Sequence, residues 1–303
     1  MPETDITFRS AGATLAGTIT RPHVDRSVPG VLILAGSGPL DRDGNHRRLR
    51  LDISRQLAVA LHDAGLASLR YDKRGAGASS GTFLATGLHD NVADARAALD
   101  TLRARPGVDP DRLFVLGHSE GAVVTIALLA GDTPPVAGAV LLSPTARSGA
   151  EVLRWQADQV AHDLPAPVGA VLRLLRVDLR ARVARNHERL RASTGDVVRL
   201  GGVRVNARWF REFMAYDPMP DLARLGVPVL ALAGGKDLQA PPQDLDVIGT
   251  MLGDRARTVL IDDLSHILRS QPGPATLRSY RRDVVRPVDT RVLTAVVDWL
   301  GQH

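Results

Sequence analysis

The chain predicts an α/β fold: a doubly wound, mostly parallel sheet with an inserted, mainly helical lid. Short, continuously apolar runs alternate with stretches of helical periodicity, the pattern of strands buried on both faces by crossover helices. One such run, Leu113-Phe114-Val115-Leu116, passes through Gly117-His118-Ser119-Glu120-Gly121 directly into a helical stretch. The alternation then breaks between residues 147 and 220, where helical periodicity continues without a clear core strand. The 303 residues therefore divide into a core of residues 1–146 and 221–303 and a lid of residues 147–220, a length suited to one large domain with an insertion.

Taken in order, Asp5–Arg9 and Ala13–Thr20 read as two short strands joined through Ala11 and Gly12, with antiparallel pairing expected. The apolar run Val31–Ala35 breaks into Gly36-Ser37-Gly38-Pro39, as a buried strand entering a loop does. A helix is expected from about Leu51 to Ala64, a strand at Ala67–Tyr71, and a helix from His89 to about Arg105, where Val92, Ala95, Leu99 and Leu102 recur at helical spacing. After the strand at Leu113–Leu116 comes a helix from Glu120 to Leu129. Further strands are expected at Ala139–Leu142, Val227–Leu232 and Thr258–Ile261, and a last helix at Arg291–Leu300. Within the lid, Leu172, Leu175, Leu179 and Val183 carry the helical periodicity.

Composition narrows the function classes. No cysteine is present, which removes disulfides, thiolate metal sites and cysteine nucleophiles together. The formal charge is +5, but the arginines are interspersed with acidic residues, so a mixed charged surface accounts for it and no nucleic-acid partner is expected. The opening Met-Pro-Glu-Thr-Asp lacks a signal-peptide pattern, and no stretch approaches the roughly 18 apolar residues of a membrane span, so a cytoplasmic protein without a transmembrane segment is expected. Gly36–Gly38 and Gly75–Gly77 lack the full dinucleotide pattern, no Walker lysine motif occurs, and the nine histidines form no compact metal motif. No cofactor and no metal are expected.

The strand, Gly-x-Ser-x-Gly, helix arrangement places Ser119 on a sharp turn, where the two glycines remove side chains that would collide with neighbouring backbone. A serine needs a base. His266 follows the late strand ending Val259-Leu260-Ile261, whereas His118, adjacent to Ser119 on a tight turn, points elsewhere. Asp237, after Val229–Ala233, is the candidate to orient the imidazole and completes the order Ser, Asp, His. Asp262 and Asp263 are rivals by proximity, less suited to reach the back of a ring in their own loop. Backbone amides of Ser37 and Glu120 are the candidate oxyanion donors. Trp209, Phe210, Phe213 and Tyr216 cluster in a chain with 4% aromatic residues, either as a possible substrate pocket or as core contacts of the lid.

Together these segments resemble the serine aminopeptidase or dienelactone-hydrolase-like branch of the α/β-hydrolase superfamily, especially its lid-bearing esterases. Gly36–Asn45, Arg70–Ser79 and Trp209–Pro218 carry the likeness beyond the three candidate catalytic residues, and it spans nearly the whole chain. The chain departs from it in having Ala122 after Gly121, where another glycine is frequent. The resemblance implies cofactor-free hydrolysis, most readily of carboxylic esters with short to moderate acyl groups, by an acyl-enzyme route through Ser119, Asp237 and His266. Amidase, aminopeptidase or thioesterase chemistry on the same residues, and a noncatalytic binding protein of this fold, are the alternatives. A small-molecule ester or related acyl substrate is the expected partner; the oligomeric state is left open.

Overall fold

The computed structural model describes residues 1–167, 174 and 178–303. The first strands are β1 (Glu3–Ser10), β2 (Ala13–Thr20) and β3 (Val28–Leu34), followed by α1 (Ile53–Asp63), β4 (Ala67–Tyr71), α2 (Leu88–Arg103), β5 (Val108–His118), α3 (Glu120–Ala130) and β6 (Gly138–Leu142). The insertion holds α4 (Gly149–His162), α5 (Leu179–Ala192), β7 (Val197–Leu200), β8 (Val203–Asn206) and α6 (Ala207–Ala215), and α7 (Met219–Arg224) leads back into the core. The chain closes with β9 (Val229–Gly234), α8 (Asp244–Leu252), β10 (Ala256–Ile261), α9 (Tyr280–Asp283) and α10 (Thr290–Gly301).

Eight strands make one sheet in the order β1-β2-β4-β3-β5-β6-β9-β10. The β1/β2 and β2/β4 pairs are antiparallel and all others parallel, so the α/β-hydrolase class read from the sequence is the fold observed. Successive side chains of a strand point to opposite faces, and here both faces are apolar. Leu32 and Val115 join the layer with α2 and part of α3, while Val31, Ile33, Phe114, Leu116, Val140 and Leu142 join the layer with α1 and α10. Further along the sheet, Ala139, Leu141, Val229 and Ala231 pack on α3, α7 and α8. Each fully buried Leu, Ile, Val or Phe stabilises the fold by about 1.5–3 kcal/mol relative to exposure, which is why uninterrupted apolar runs, and not alternating ones, mark the central strands.

The parallel central strands all end at one edge of the sheet, where the loops after β3, β5, β9 and β10 gather. The insertion arches over this edge. Ser148 and Glu151 cap α4 reciprocally, and Asn206 caps α6 by accepting from Trp209 N at 2.9 Å. The Asn206 amide also donates to the carbonyls of Phe83 (2.6 Å) and Thr86 (2.8 Å), fixing the start of α6 to the core. Leu179 and Val183 lie on α5; Leu172 and Leu175 lie outside the described residues. The insertion also contains the antiparallel β7/β8 hairpin, an element its helical periodicity does not announce. No described helix is long and apolar enough to cross a membrane.

Candidate active site

Strand β5 ends at His118, and Ser119 forms the turn into α3 with φ 57° and ψ −118°, a conformation costly for any residue with a Cβ. The turn closes because its flanking positions have no side chain. A Cβ at Gly117 would lie 2.1 Å from the Gly121 carbonyl oxygen, and one at Gly121 would lie 2.2 Å from that of Leu34. Ser119 N donates to Leu142 O at 2.9 Å, and Ser119 O accepts from Ala122 N at 2.9 Å. The strained backbone is thereby held from both sides, with the side chain turned away from it.

His266 and Asp237 arrive from the loops after β10 and β9. His266 Nε2 stands 3.0 Å from Ser119 Oγ, and its Nδ1 lies 2.8 Å from Asp237 Oδ2 and 3.0 Å from Oδ1. Asp237 also accepts from the amides of Gln239 (2.7 Å) and Ala240 (2.8 Å). Burial alone raises the Asp237 carboxyl pKa, but the His266 charge and hydrogen bond and the two amides outweigh it and hold the group below its ordinary value. An ionised Asp237 accepts only, so Nδ1 carries the ring proton and the Nε2 lone pair faces Ser119 Oγ. The neighbouring carboxylates are engaged elsewhere or stand apart: Asp263 accepts from Ser270 Oγ at 2.5 Å and pairs with Arg291 at 2.7 Å, and no hydrogen bond joins Asp262 to His266.

His118 donates from Nε2 to the His266 carbonyl oxygen at 2.9 Å. Burial, followed by the nearby His266 charge, lowers its pKa to about 3, so the ring stays neutral. Its side chain therefore braces the loop that carries His266.

The Gly36–Pro39 turn packs directly on the serine: a Cβ at Gly36 would sit 3.5 Å from Ser119 Cβ. The amides of Ser37 and Glu120 have no acceptor among the described residues, and both residues line the space beside Ser119. Glu120 enters sequence reasoning only through its amide, yet its buried carboxylate is a hub. Oε1 accepts from Asn91 Nδ2 at 2.7 Å, Trp209 Nε1 at 3.1 Å and Lys73 Nζ at 3.3 Å. Lys73 Nζ also donates to Gly36 O at 3.1 Å, so one ion pair ties both amide-bearing turns together and reaches the lid through Trp209. Asn91, in the middle of α2, carries no sequence signal that would single it out.

Two cavities meet at Ser119 and share Ser37, Ser119 and Gln239. The larger, about 160 Å³, includes His266, Ile267, Leu49, Leu51 and Tyr280 in its wall. The smaller, about 50 Å³, lies under the lid against Val123, Val152, Leu153, Trp209 and Phe213. Trp209 and Phe213 stack with ring centroids 4.7 Å apart and planes 9° apart, as residues one helical turn apart on one face of α6 can. The other two aromatic candidates do not line either cavity. Phe210, one residue round the helix, packs with Leu190 and Met214 inside the lid, and Tyr216 donates to Asp221 Oδ2 at 2.9 Å while packing on the core. Arg211 points to Ser193 and Gly195, within the lid.

Ion pairs fix the loops after β3 and β4. Arg42 reaches Asp72 at 2.9 Å and Asp5 at 2.8 Å, Arg70 reaches Asp43 at 2.9 Å, and Arg74 reaches Asp94 at 2.6 Å. Burial raises the Asp72 pKa, yet hydrogen bonds from Arg42 and from the amides of Ala78 and Arg42 bring it below its ordinary value. Among the described residues, no three His, Asp or Glu side chains converge as a metal site.

The pattern of the serine aminopeptidase, S33 family matches residues 51–270, most of the chain and the whole span from the first helix to the His266 loop. The chain belongs to this family. It is a serine hydrolase with an α/β-hydrolase fold. This S33-family hydrolase is 28% identical over 301 residues to esterase EstD of Thermotoga maritima, covering 98% of this chain and 67% of that protein. Among solved structures it is similar to the α/β hydrolase GrgF of a Penicillium species, with TM-score 0.66 and 18% identity over 100% of this chain and 99% of that one. Est1E of Butyrivibrio proteoclasticus with ferulic acid bound gives TM-score 0.65 and 16% identity over 98% of each chain. These two likenesses concern the fold.

Proposed function

We propose that this S33-family hydrolase is a carboxylesterase in which Ser119 is the nucleophile, His266 the general base and acid, and Asp237 the group that orients His266. The observation that carries the reading is the continuous path from Asp237 through His266 to Ser119 Oγ, with links of 2.8 and 3.0 Å. His266 takes the Ser119 proton as Oγ attacks the ester carbonyl, and the amides of Ser37 and Glu120 receive the oxyanion. Protonated His266 then delivers its proton to the leaving oxygen, and a water activated by the same ring releases the acid and restores Ser119.

An ester, in preference to an aminopeptidase substrate, is favoured by charge. A free α-ammonium group needs an uncompensated carboxylate within the site. Outside the triad, Glu120 is the one carboxylate lining either cavity among the described residues, and Lys73, Asn91 and Trp209 already occupy it. The relationship to EstD supports the same choice. A stopped-flow comparison of p-nitrophenyl acetate with aminoacyl anilides tests it: a stoichiometric burst of p-nitrophenol and negligible anilide turnover are expected, and faster anilide turnover would replace this reading with the peptidase one. Cytoplasmic action belongs to the same proposal; finding the native protein in a secreted fraction would overturn it.

A further inference from the structure

We propose that the two cavities divide the ester between them: the 50 Å³ cavity under the lid takes the acyl group, and the 160 Å³ cavity beside His266 takes the leaving alcohol. The inference rests on the carboxylesterase reading and names its substrate class, short-acyl esters of bulky apolar alcohols.

The proton path decides which cavity is which. His266 must hand its proton to the leaving oxygen, so the alcohol has to lie on the side of Ser119 where His266 forms the wall. His266 lines the larger cavity and not the smaller one. The acyl chain, attached to the carbonyl carbon and pointing away from the leaving oxygen, is left with the lid side. Both cavities contact Ser37, whose amide faces the carbonyl oxygen in the proposed reaction, so a single carbonyl at Ser119 can send one substituent into each.

Size and rigidity then set the selectivity. A buried water needs about 10–15 Å³ measured in this way, so 50 Å³ holds about four water-sized groups, the scale of an acetyl to butyryl chain. Its walls resist expansion. Trp209 is stacked on Phe213 at 4.7 Å and its indole nitrogen donates to buried Glu120 at 3.1 Å, while Val152 is 4% exposed and packed in the core. Leu153 is the one half-buried aliphatic side chain among those named in this wall. The alcohol cavity is about three times larger and its wall includes Leu40, Leu49, Leu51, Ile53 and Ile267, an apolar surface that rewards a bulky apolar alcohol.

Two ester series on the intact protein test the division. With p-nitrophenol as the constant alcohol, kcat/KM is expected to hold from acetate to butyrate and to fall by about tenfold or more by octanoate. With acetate as the constant acyl group, it is expected to rise from ethyl to 2-cyclohexylethyl and 2-phenylethyl esters, whose alcohols leave with similar basicity. Leu153→Ala should carry the acyl limit to longer chains without changing the order of preference among the alcohols; Leu49→Trp should depress the 2-phenylethyl ester relative to the ethyl ester and lower all p-nitrophenyl esters together, leaving the acyl-length limit where it was. Octanoate turned over as well as acetate, or the two variants acting on the opposite series, would overturn the assignment. Turnover itself separates the two levels of failure: ready hydrolysis of p-nitrophenyl acetate with inverted selectivity overturns only the cavity assignment, and folded protein that turns over no ester of either series overturns the ester chemistry with it.

Discussion

The turn at Ser119 and the lid above it are built on opposite principles. At the turn, five consecutive residues carry the pattern, because a Cβ on Gly117 would lie 2.1 Å from the Gly121 carbonyl oxygen and one on Gly121 would lie 2.2 Å from that of Leu34. In the lid, position depends on partners far along the chain: Trp209 meets Glu120, and Asn206 meets Phe83 and Thr86. The first arrangement excludes a side chain at either glycine and is visible in a short motif. The second is adjustable, and it bounds the cavity proposed for the acyl group.

The largest expected effects fall on the turn and its proton path. Ser119→Ala or His266→Ala should lower kcat by about 10⁴-fold or more, and Asp237→Asn by about 10⁴-fold through loss of the correct tautomer; steady-state ester hydrolysis with thermal melts to confirm folding measures both. Gly121→Ala should destabilise the fold by about 3 kcal/mol as the new methyl meets Leu34 O, read from denaturant midpoints. A Gly121→Ala protein of unchanged stability would remove the contrast between turn and lid.

Next comes the link between the two regions. Glu120→Gln preserves the amide of residue 120 but leaves Lys73 as a buried charge without its counterion, at a cost of about 3–5 kcal/mol. Adding Lys73→Met should recover much of that loss, so a double-mutant cycle reports the coupling directly. Trp209→Phe keeps the stack on Phe213 and deletes only the indole donor, and should cost about 1.5–3 kcal/mol because the acceptor is charged. Equal and additive losses in all of these variants would mean that lid and turn are independent.

Per pH unit, acidity gives the smallest and most selective probe. His118 has a folded pKa of about 3 against an ordinary 6.5, so the unfolded chain binds the extra proton between those values. The His118 contribution is complete above about pH 6.5 and is lost on acidification toward pH 3, by up to about 1.4 kcal/mol per pH unit. Asp237, with its depressed pKa, adds a loss in the same direction, confined to pH values below the ordinary carboxylate pKa. His118→Gln can still donate to the His266 carbonyl and should flatten the slope between pH 6.5 and 4 in urea titrations.

The same contrast explains what was legible beforehand. The runs at Val31–Ala35, Leu113–Leu116 and Ala139–Leu142 are strands because burial on both faces requires unbroken apolar sequence, and the order of Ser119, Asp237 and His266 follows from which strands their loops leave. The β7/β8 hairpin had a signal that the helical reading of the lid passed over: Gly201-Gly202, with φ of 57° and 84°, separates two short β-branched runs. Helix α8, Asp244–Leu252, begins with two acids close behind Pro241-Pro242 and was also readable as a start signal. The grouping of Lys73, Asn91 and Trp209 at Glu120 was not readable, since it joins residues 29 to 89 positions away that no local pattern connects. Phe210 and Tyr216 share the aromatic cluster in sequence, but only the α6 helical phase and its packing separate them from Trp209 and Phe213.

The measurement that bears most directly on the central claim is peptide mass spectrometry of the folded protein after treatment with a fluorophosphonate. A single adduct on Ser119, absent in Ser119→Ala and formed much more slowly in His266→Ala, is the expected result. An adduct on a different residue, or unmodified Ser119 in folded protein, would contradict it.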